Sequence, residues 1–216
     1  MSEQRLTASN LWRAERCPAS VVLPEGPKRK YADAEAGKAE HAIAEQAPPA
    51  GAEAEVAFAL NVLSGEARRL DVKNREYGEL AEGEIAGTAD RVFVRPDHVL
   101  IQDLKTGVGY LQAEPQVNPQ LIHHALSAVT VYQKRMALVQ LLYTKTGLVK
   151  DGVFDAFDFP EMLARLRSIW EMVKAARTSP PEELIQYVVP DIQVQCWRCP
   201  ARAHCPVMGK QRRSVA

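Results

Sequence analysis

Apolar and polar positions change their period several times along the 216 residues, and each change predicts an element. Near the start, Ser9 or Asn10 can cap a helix that carries Leu11 and Trp12 and stops at Cys17-Pro18. A short helix ending near Cys17 is predicted. After a loop rich in Pro, Gly and basic residues comes 31–46, dominated by Ala and Glu, both strong helix formers, and Pro48-Pro49 ends that second helix. Residues 53–63 read as another short helix.

Between 85 and 105 the period shortens. Val92 and Val94 precede Arg95-Pro96-Asp97-His98, and Val99 and Ile101 follow it, which predicts two antiparallel strands joined by a turn. Asn118-Pro119 is a cap and first-turn pair opening a helix that runs to about Lys134. Residues 136–143 read as a buried strand. In 159–177 the residues Met162, Leu163, Leu166, Ile169, Trp170 and Val173 recur at helical spacing, and Pro180-Pro181 closes the helix. There is no internal repeat.

Composition narrows the class. With 46% hydrophobic and 25% charged residues, the chain has the make-up of one compact domain, 1–216, able to bury a core of its own. Its apolar runs are too short to cross a bilayer, and 1–10 lacks the apolar stretch of a secretory signal, so a cytoplasmic protein with no membrane partner is expected. Formal net charge is zero, and any affinity for nucleic acid must come from local patches. One such patch follows Cys196, where Arg198, Arg202, Lys210, Arg212 and Arg213 appear with no acidic residue. It suits phosphate contacts, or equally a solvated tail over 209–216.

The hairpin carries the candidate chemistry. If Val94 pairs with Val99, counting places Asp90 across from Asp103, and both share a face with Val92, Ile101 and Lys105. Opposed carboxylates at about 5 Å repel by roughly 3 kcal/mol at an effective dielectric of 20. A divalent cation removes that repulsion, and oxygen ligation with open positions suits Mg2+ or Mn2+. Lys105 would then stabilise phosphoryl charge or orient a water. An ordinary hairpin with an Asp–Lys ion pair at its edge is the plainer reading of the same residues.

The order G-T-A-D (87–90), D-L-K-T-G (103–107) and N-P-Q-L (118–121) resembles the motifs of the PD-(D/E)XK nuclease superfamily, and especially its RecB-like exonuclease branch. The resemblance implies a restriction-endonuclease-like α/β (α+β) fold, a mixed central sheet flanked by helices. It also implies that Asp90 and Asp103 hold the metal and that Lys105 is catalytic. Gln120 falls where the branch has a Gln followed four residues on by a Tyr; here the Tyr position is His124. Gly37 and His41, four residues apart on one helix face, match the G-x-x-x-H element of the family's first helix, which implies that His41 is a further metal ligand. His123, His124 and His204 receive no role.

The four cysteines are Cys17, Cys196, Cys199 and Cys205, the last three as C-x2-C-x5-C. Disulfides are not expected in a cytosolic chain, and four thiolates suit either zinc or a [4Fe-4S] cluster. One N-terminal cysteine plus a C-terminal triplet resembles the iron-sulfur nucleases related to RecB, including those of CRISPR adaptation. That resemblance implies a [4Fe-4S] cluster joining 9–20 to 190–208, with Zn2+ as the alternative. Phage and prophage proteins with the same motif order are the nearest match. They imply a DNA exonuclease of recombination or DNA processing in the cytosol of a phage host, with Arg198 and Arg202 on DNA and a single-strand annealing protein or helicase as partner. A catalytically silent DNA-binding or assembly protein with the same fold and cluster is the rival reading.

Overall fold

The computed structural model describes residues 5–27, 48–72, 75–105, 114–188, 196 and 199–211. The chain forms two compact units, one made of residues 30–166 and the other of residues 1–29 together with 167–216.

The larger unit is built on a six-stranded sheet. Its strands are β1 (Glu53–Asn61), β2 (Ala67–Leu70), β3 (Glu84–Val94), β4 (Val99–Lys105), β5 (Met136–Tyr143) and β6 (Val149–Asp155), in the spatial order β2-β1-β3-β4-β5-β6. Only the β4–β5 pair is parallel; the other four pairs are antiparallel. A parallel pair needs a crossover, and the segment between β4 and β5 carries the helix α2 (Pro119–Val131), which packs on β1 through β5. The expected hairpin is present, with Val94 opposite Val99.

Residues 53–63 correct the sequence reading, since they form a strand and not a helix. Ala and Glu favour a helix locally, but Val56, Phe58 and Leu60 alternate with Ala57 and Ala59, and all five are buried, so β1 is paired on both edges and covered on both faces. Ala57 and Ala59 join Leu70 and Ala86 in a small core, with Val72, Tyr77 and Leu80 packed against it. Phe58 meets Tyr132 edge to face at 6.3 Å, at the end of α2. Pairing energy outweighs a propensity difference of a few tenths of a kcal/mol per residue. The strands β2 and β6 were not predicted. Each is short or solvent-facing, and β2 reads as Ala-Arg-Arg-Leu with two exposed arginines.

α2 begins as expected. Asn118 is its N-cap, and its side chain accepts a hydrogen bond from the Gln120 N–H at 3.0 Å, with Pro119 in the first turn. From Leu121 to Val129 every residue is buried, so this helix lies fully inside its unit.

In the smaller unit, α1 (Leu11–Arg16) ends on Cys17, as the sequence implied, and a turn of 3-10 helix follows over Pro18–Val21. The helix α3 (Phe159–Thr178), which belongs to this unit from residue 167 on, has the extent expected of it, and α4 (Pro206–Gln211) follows the last cysteine. Ala19, Leu23 and Ala201 form a core against which Cys17, Leu184, Tyr187, Val188 and Cys199 pack, so both chain ends share one core. At Gly26, whose N–H donates to Pro200 O at 2.8 Å, an added Cβ would stand 2.9 Å from the Ala203 Cβ. The predicted helix over 31–46 lies outside the described residues. No helix among the described residues is long and apolar enough to cross a membrane.

The Asn118 cap sets the first turn from which Gln120 projects. Asn118→Ala is expected to lower stability by about 1 kcal/mol, and Asn118→Ser to recover most of it, as read by urea unfolding.

Candidate active site

Both ladders of β3 lapse at one residue. Toward β1 the paired positions pass from Ala54–Arg91 to Val56–Ala89, leaving Glu55 and Asp90 as the intervening residue on each strand. Toward β4 the pairing closes at Arg91–Gln102, one step before Asp103. Glu55 has φ 49°, in the left-handed region where a side chain strains the backbone. Asp90 makes up part of the lost pairing with its side chain, since its Oδ2 accepts a hydrogen bond from the Leu104 N–H at 2.7 Å.

Asp90 and Asp103 are only 6% and 3% exposed, so each carboxylate needs compensation from the protein. Asp103 Oδ1 accepts from the Gln120 amide at 2.9 Å, and its Oδ2 pairs with the Lys105 ammonium. Asp90 Oδ1 lies 3.7 Å from Arg75 Nη2, and the same nitrogen stands 3.3 Å from Glu55 Oε1. The burial of Lys105 works against its charge; Asp103, with Asp90 and Tyr143 behind it, outweighs that effect and holds the ammonium pKa above its usual range. Burial likewise opposes the Arg75 charge and is outweighed by Glu55, Asp90 and Tyr77. Arg75 and Lys105 thus stand among three carboxylates, Glu55, Asp90 and Asp103.

Asp90, Asp103, Lys105 and Gln120, singled out in the sequence, come together here, from β3, β4 and the first turn of α2. His41 and Arg198 lie outside the described residues. Arg202 belongs to the other unit. Sequence reasoning missed Glu55 and Arg75. Once 53–61 is read as a strand, counting back from Val56–Ala89 sets Glu55 beside Asp90, but a loop arginine such as Arg75 carries no periodic signal at all.

The two histidines without an assigned role are wholly buried in α2. His123 Nε2 lies 2.8 Å from Ile85 O, and the two Nδ1 atoms are 3.4 Å apart. His124 Nε2 is buried, and no group among the described residues hydrogen-bonds to it, an arrangement that costs about 1–3 kcal/mol where nothing else satisfies the atom. Burial pushes the His123 pKa down to about 4, against the pull of Ile85 O. It drives His124 well below its ordinary value, reinforced by His123, Lys105 and Arg75.

In the smaller unit, Cys17, Cys196, Cys199 and Cys205 all line one cavity, partly open to solvent, together with Ala19, Ser20, Leu23, Val188, Ala201, Arg202 and Met208. The Cys17 thiol donates to Tyr187 O at 3.6 Å. Burial chiefly, with Cys17 and Cys196 nearby, pushes the Cys199 thiol pKa up, opposed by the Ala201 backbone and Arg13. The donor set suits a thiolate-ligated group, with Arg13 set against Cys17 and Cys199 to offset negative charge. Among the described residues no three His, Cys, Asp or Glu side chains stand in a ready-made metal-ligand arrangement. At Asp90 and Asp103 the near partners are instead Arg75 and Lys105.

Among known families, the one described as "Protein of unknown function (DUF2800)" matches residues 67–141. That segment runs from β2 into β5 and includes Asp90, Asp103, Lys105 and Gln120. No curated protein matches the chain. Among solved structures, one described as "Crystal structure of SSO0001" is similar at 16% identity, covering 95% of this chain and 88% of that one with a TM-score of 0.49.

The buried histidines make the fold acid-sensitive. His123 has an unfolded-state pKa near 6.5 and a folded-state pKa of about 4. As pH falls the unfolded chain takes up the proton first, so stability declines from about pH 6.5 downward and levels off only when the folded ring protonates. At about 1.4 kcal/mol per pKa unit, His123 alone contributes about 3 kcal/mol over that window, and His124 adds to it in the same direction. Urea unfolding at pH 7 and pH 5 should differ by at least about 2 kcal/mol. Equal stability at the two values would contradict the neutral buried pair.

Proposed function

We propose that the protein is a divalent-metal-dependent nuclease of the PD-(D/E)XK type that hydrolyses phosphodiester bonds in DNA, acting from the ends of linear strands. The observation that carries this reading is the convergence of Asp90, Asp103 and Lys105 at the point where β3 and β4 stop pairing, with Gln120 holding Asp103. A carboxylate pair buried to this degree is costly to keep as mere structure, and its two balancing cations are both basic side chains of the kind that bind phosphate.

Asp90 and Asp103 would hold Mg2+ or Mn2+, and His41 is the proposed additional ligand. A cation held there supplies Lewis acidity and a bound water of lowered pKa. Gln120 keeps Asp103 in one rotamer through its amide hydrogen bond. Lys105, charged at neutral pH, is released from Asp103 toward the phosphate and donates to its oxygens as negative charge builds. Arg75 lies between Glu55 and Asp90 and gives the site a second positive group facing a polyanion. Arg198 and Arg202 are proposed to grip the DNA backbone.

The cysteine cavity is proposed to hold a [4Fe-4S] cluster on Cys17, Cys196, Cys199 and Cys205. What supports this is four thiols around a single cavity with an arginine beside them. The cluster's contribution is structural: it cross-links segments from the two ends of the chain, and that restricts the unfolded state most when the closed loop is long. Protein purified without oxygen should absorb visible light and contain iron with acid-labile sulfide, and Cys196→Ser should lower the iron content. Zinc without sulfide would instead assign the cavity to a Zn2+ site.

The deciding experiment is cleavage of end-labelled linear and circular DNA with Mn2+ or Mg2+. Loss of linear DNA alone is expected, abolished by chelator and by Asp103→Asn, and reduced about 10²- to 10³-fold by Lys105→Ala, the scale for removing one preorganised charged donor. DNA left intact by cluster-replete protein but still bound in a salt-sensitive way would leave the catalytically silent DNA-binding reading.

A further inference from the structure

The buried pair His123–His124 is used by none of the chemistry above, yet its hydrogen bonds determine where its protons are. A carbonyl oxygen only accepts, so His123 Nε2, 2.8 Å from Ile85 O, carries a hydrogen. The ring is neutral, as expected of a histidine buried completely, so its Nδ1 is an unprotonated acceptor. The donor across the 3.4 Å contact between the two Nδ1 atoms is therefore His124 Nδ1–H. A neutral His124 with its hydrogen on Nδ1 keeps a lone pair on Nε2, and that is the buried atom with no hydrogen-bond partner among the described residues. Ile85 O thus sets the tautomer of His124 through His123, in the way that an outer partner fixes the ring of a metal-bound histidine.

The position of that lone pair gives it a use. His124 stands one helical turn after Gln120, which touches Asp103, so both project from the same face of α2. Lys105 and Arg75, the two cations of the carboxylate site, add to burial and His123 in keeping its ring neutral. Lys105 is now paired with Asp103 Oδ2. A divalent cation held by Asp103 would compete with Lys105 for that carboxylate, and a mostly buried ammonium whose partner is weakened would need another acceptor.

We propose that His124 is a positioning residue for Lys105: its Nε2 lone pair, oriented by the His123–Ile85 relay, accepts a hydrogen bond from the Lys105 ammonium when Asp103 turns to the metal. The proposal rests on the nuclease reading of this site for its second half, and on the relay geometry alone for its first. A neutral acceptor holds Lys105 in place without cancelling its charge, leaving its other N–H donors for phosphate.

The test is long-range proton–nitrogen NMR of the full protein labelled with 15N-histidine and 13C-aspartate, before and after addition of Mg2+. In metal-free protein His124 should be the Nδ1–H tautomer and His123 the Nε2–H tautomer; the reverse assignment for His124 overturns the proposal whatever the site binds. With Mg2+, the His124 Nε2 resonance should shift toward that of a hydrogen-bond acceptor, and the shift should be absent in Lys105→Met. A His124 Nε2 that stays unmoved while the Asp103 carboxyl carbon responds to Mg2+ overturns the proposal alone. An Asp103 carboxyl carbon silent to Mg2+ overturns the metal-site reading and the partner exchange together.

Discussion

Two carboxylates held out of water within one strand pair set the terms for the rest of the larger unit. Asp90 and Asp103 cannot remain charged and buried unless each is supplied with donors, and the fold supplies them from four directions: Leu104 N–H, the Arg75 guanidinium, the Gln120 amide and the Lys105 ammonium. Removing one partner of such a buried set costs about 3–5 kcal/mol, because a charge is then left without compensation. The lapse of both β3 ladders at Asp90 belongs to the same constraint. There the strand gives up regular backbone pairing, and a carboxylate oxygen takes a place that a main-chain carbonyl would otherwise hold.

α2 is the element that makes this arrangement rigid. Its start is fixed by the Asn118 cap and Pro119, and its length is buried from Leu121 to Val129, so it has little freedom to rotate. Gln120 and His124, one turn apart, are consequently held at fixed positions over β4. The cost of burying two neutral histidines is met by the packing of Leu121, Ile122, Ala125, Leu126, Ala128 and Val129 around them in the helix. A core with no use for these groups would be more stable with leucine in their place. Their presence beside the charged site is the reason to connect them with it.

The smaller unit obeys a different constraint. Segments from both ends of the chain meet in it, at the cluster of Ala19, Leu23 and Ala201 and around the cavity that the four thiols line. The close approach at Gly26 and its hydrogen bond to Pro200 bring the N-terminal loop against the turn between Cys199 and Cys205, so the cysteine segments meet even though nearly the whole chain separates them.

The chain's own pattern determined the elements whose signals are local: the hairpin and its Val94–Val99 register, the Asn118-Pro119 helix start, the end of α1 at Cys17 and the extent of α3. In each case a turn, a cap or a sustained period fixes the outcome within a few residues. Asp90, Asp103 and Lys105 were legible for the same reason, since strand counting relates them directly. Only tertiary structure decided the rest. β1 is a strand because β2 and β3 pair with both of its edges, against the helical preference of its alanines and glutamates, and with that misreading Glu55 stayed hidden. Arg75 reaches Glu55 and Asp90 from a loop, and the His123–His124 relay depends on a carbonyl of β3; both are contacts between distant parts of the chain, on which no local period bears.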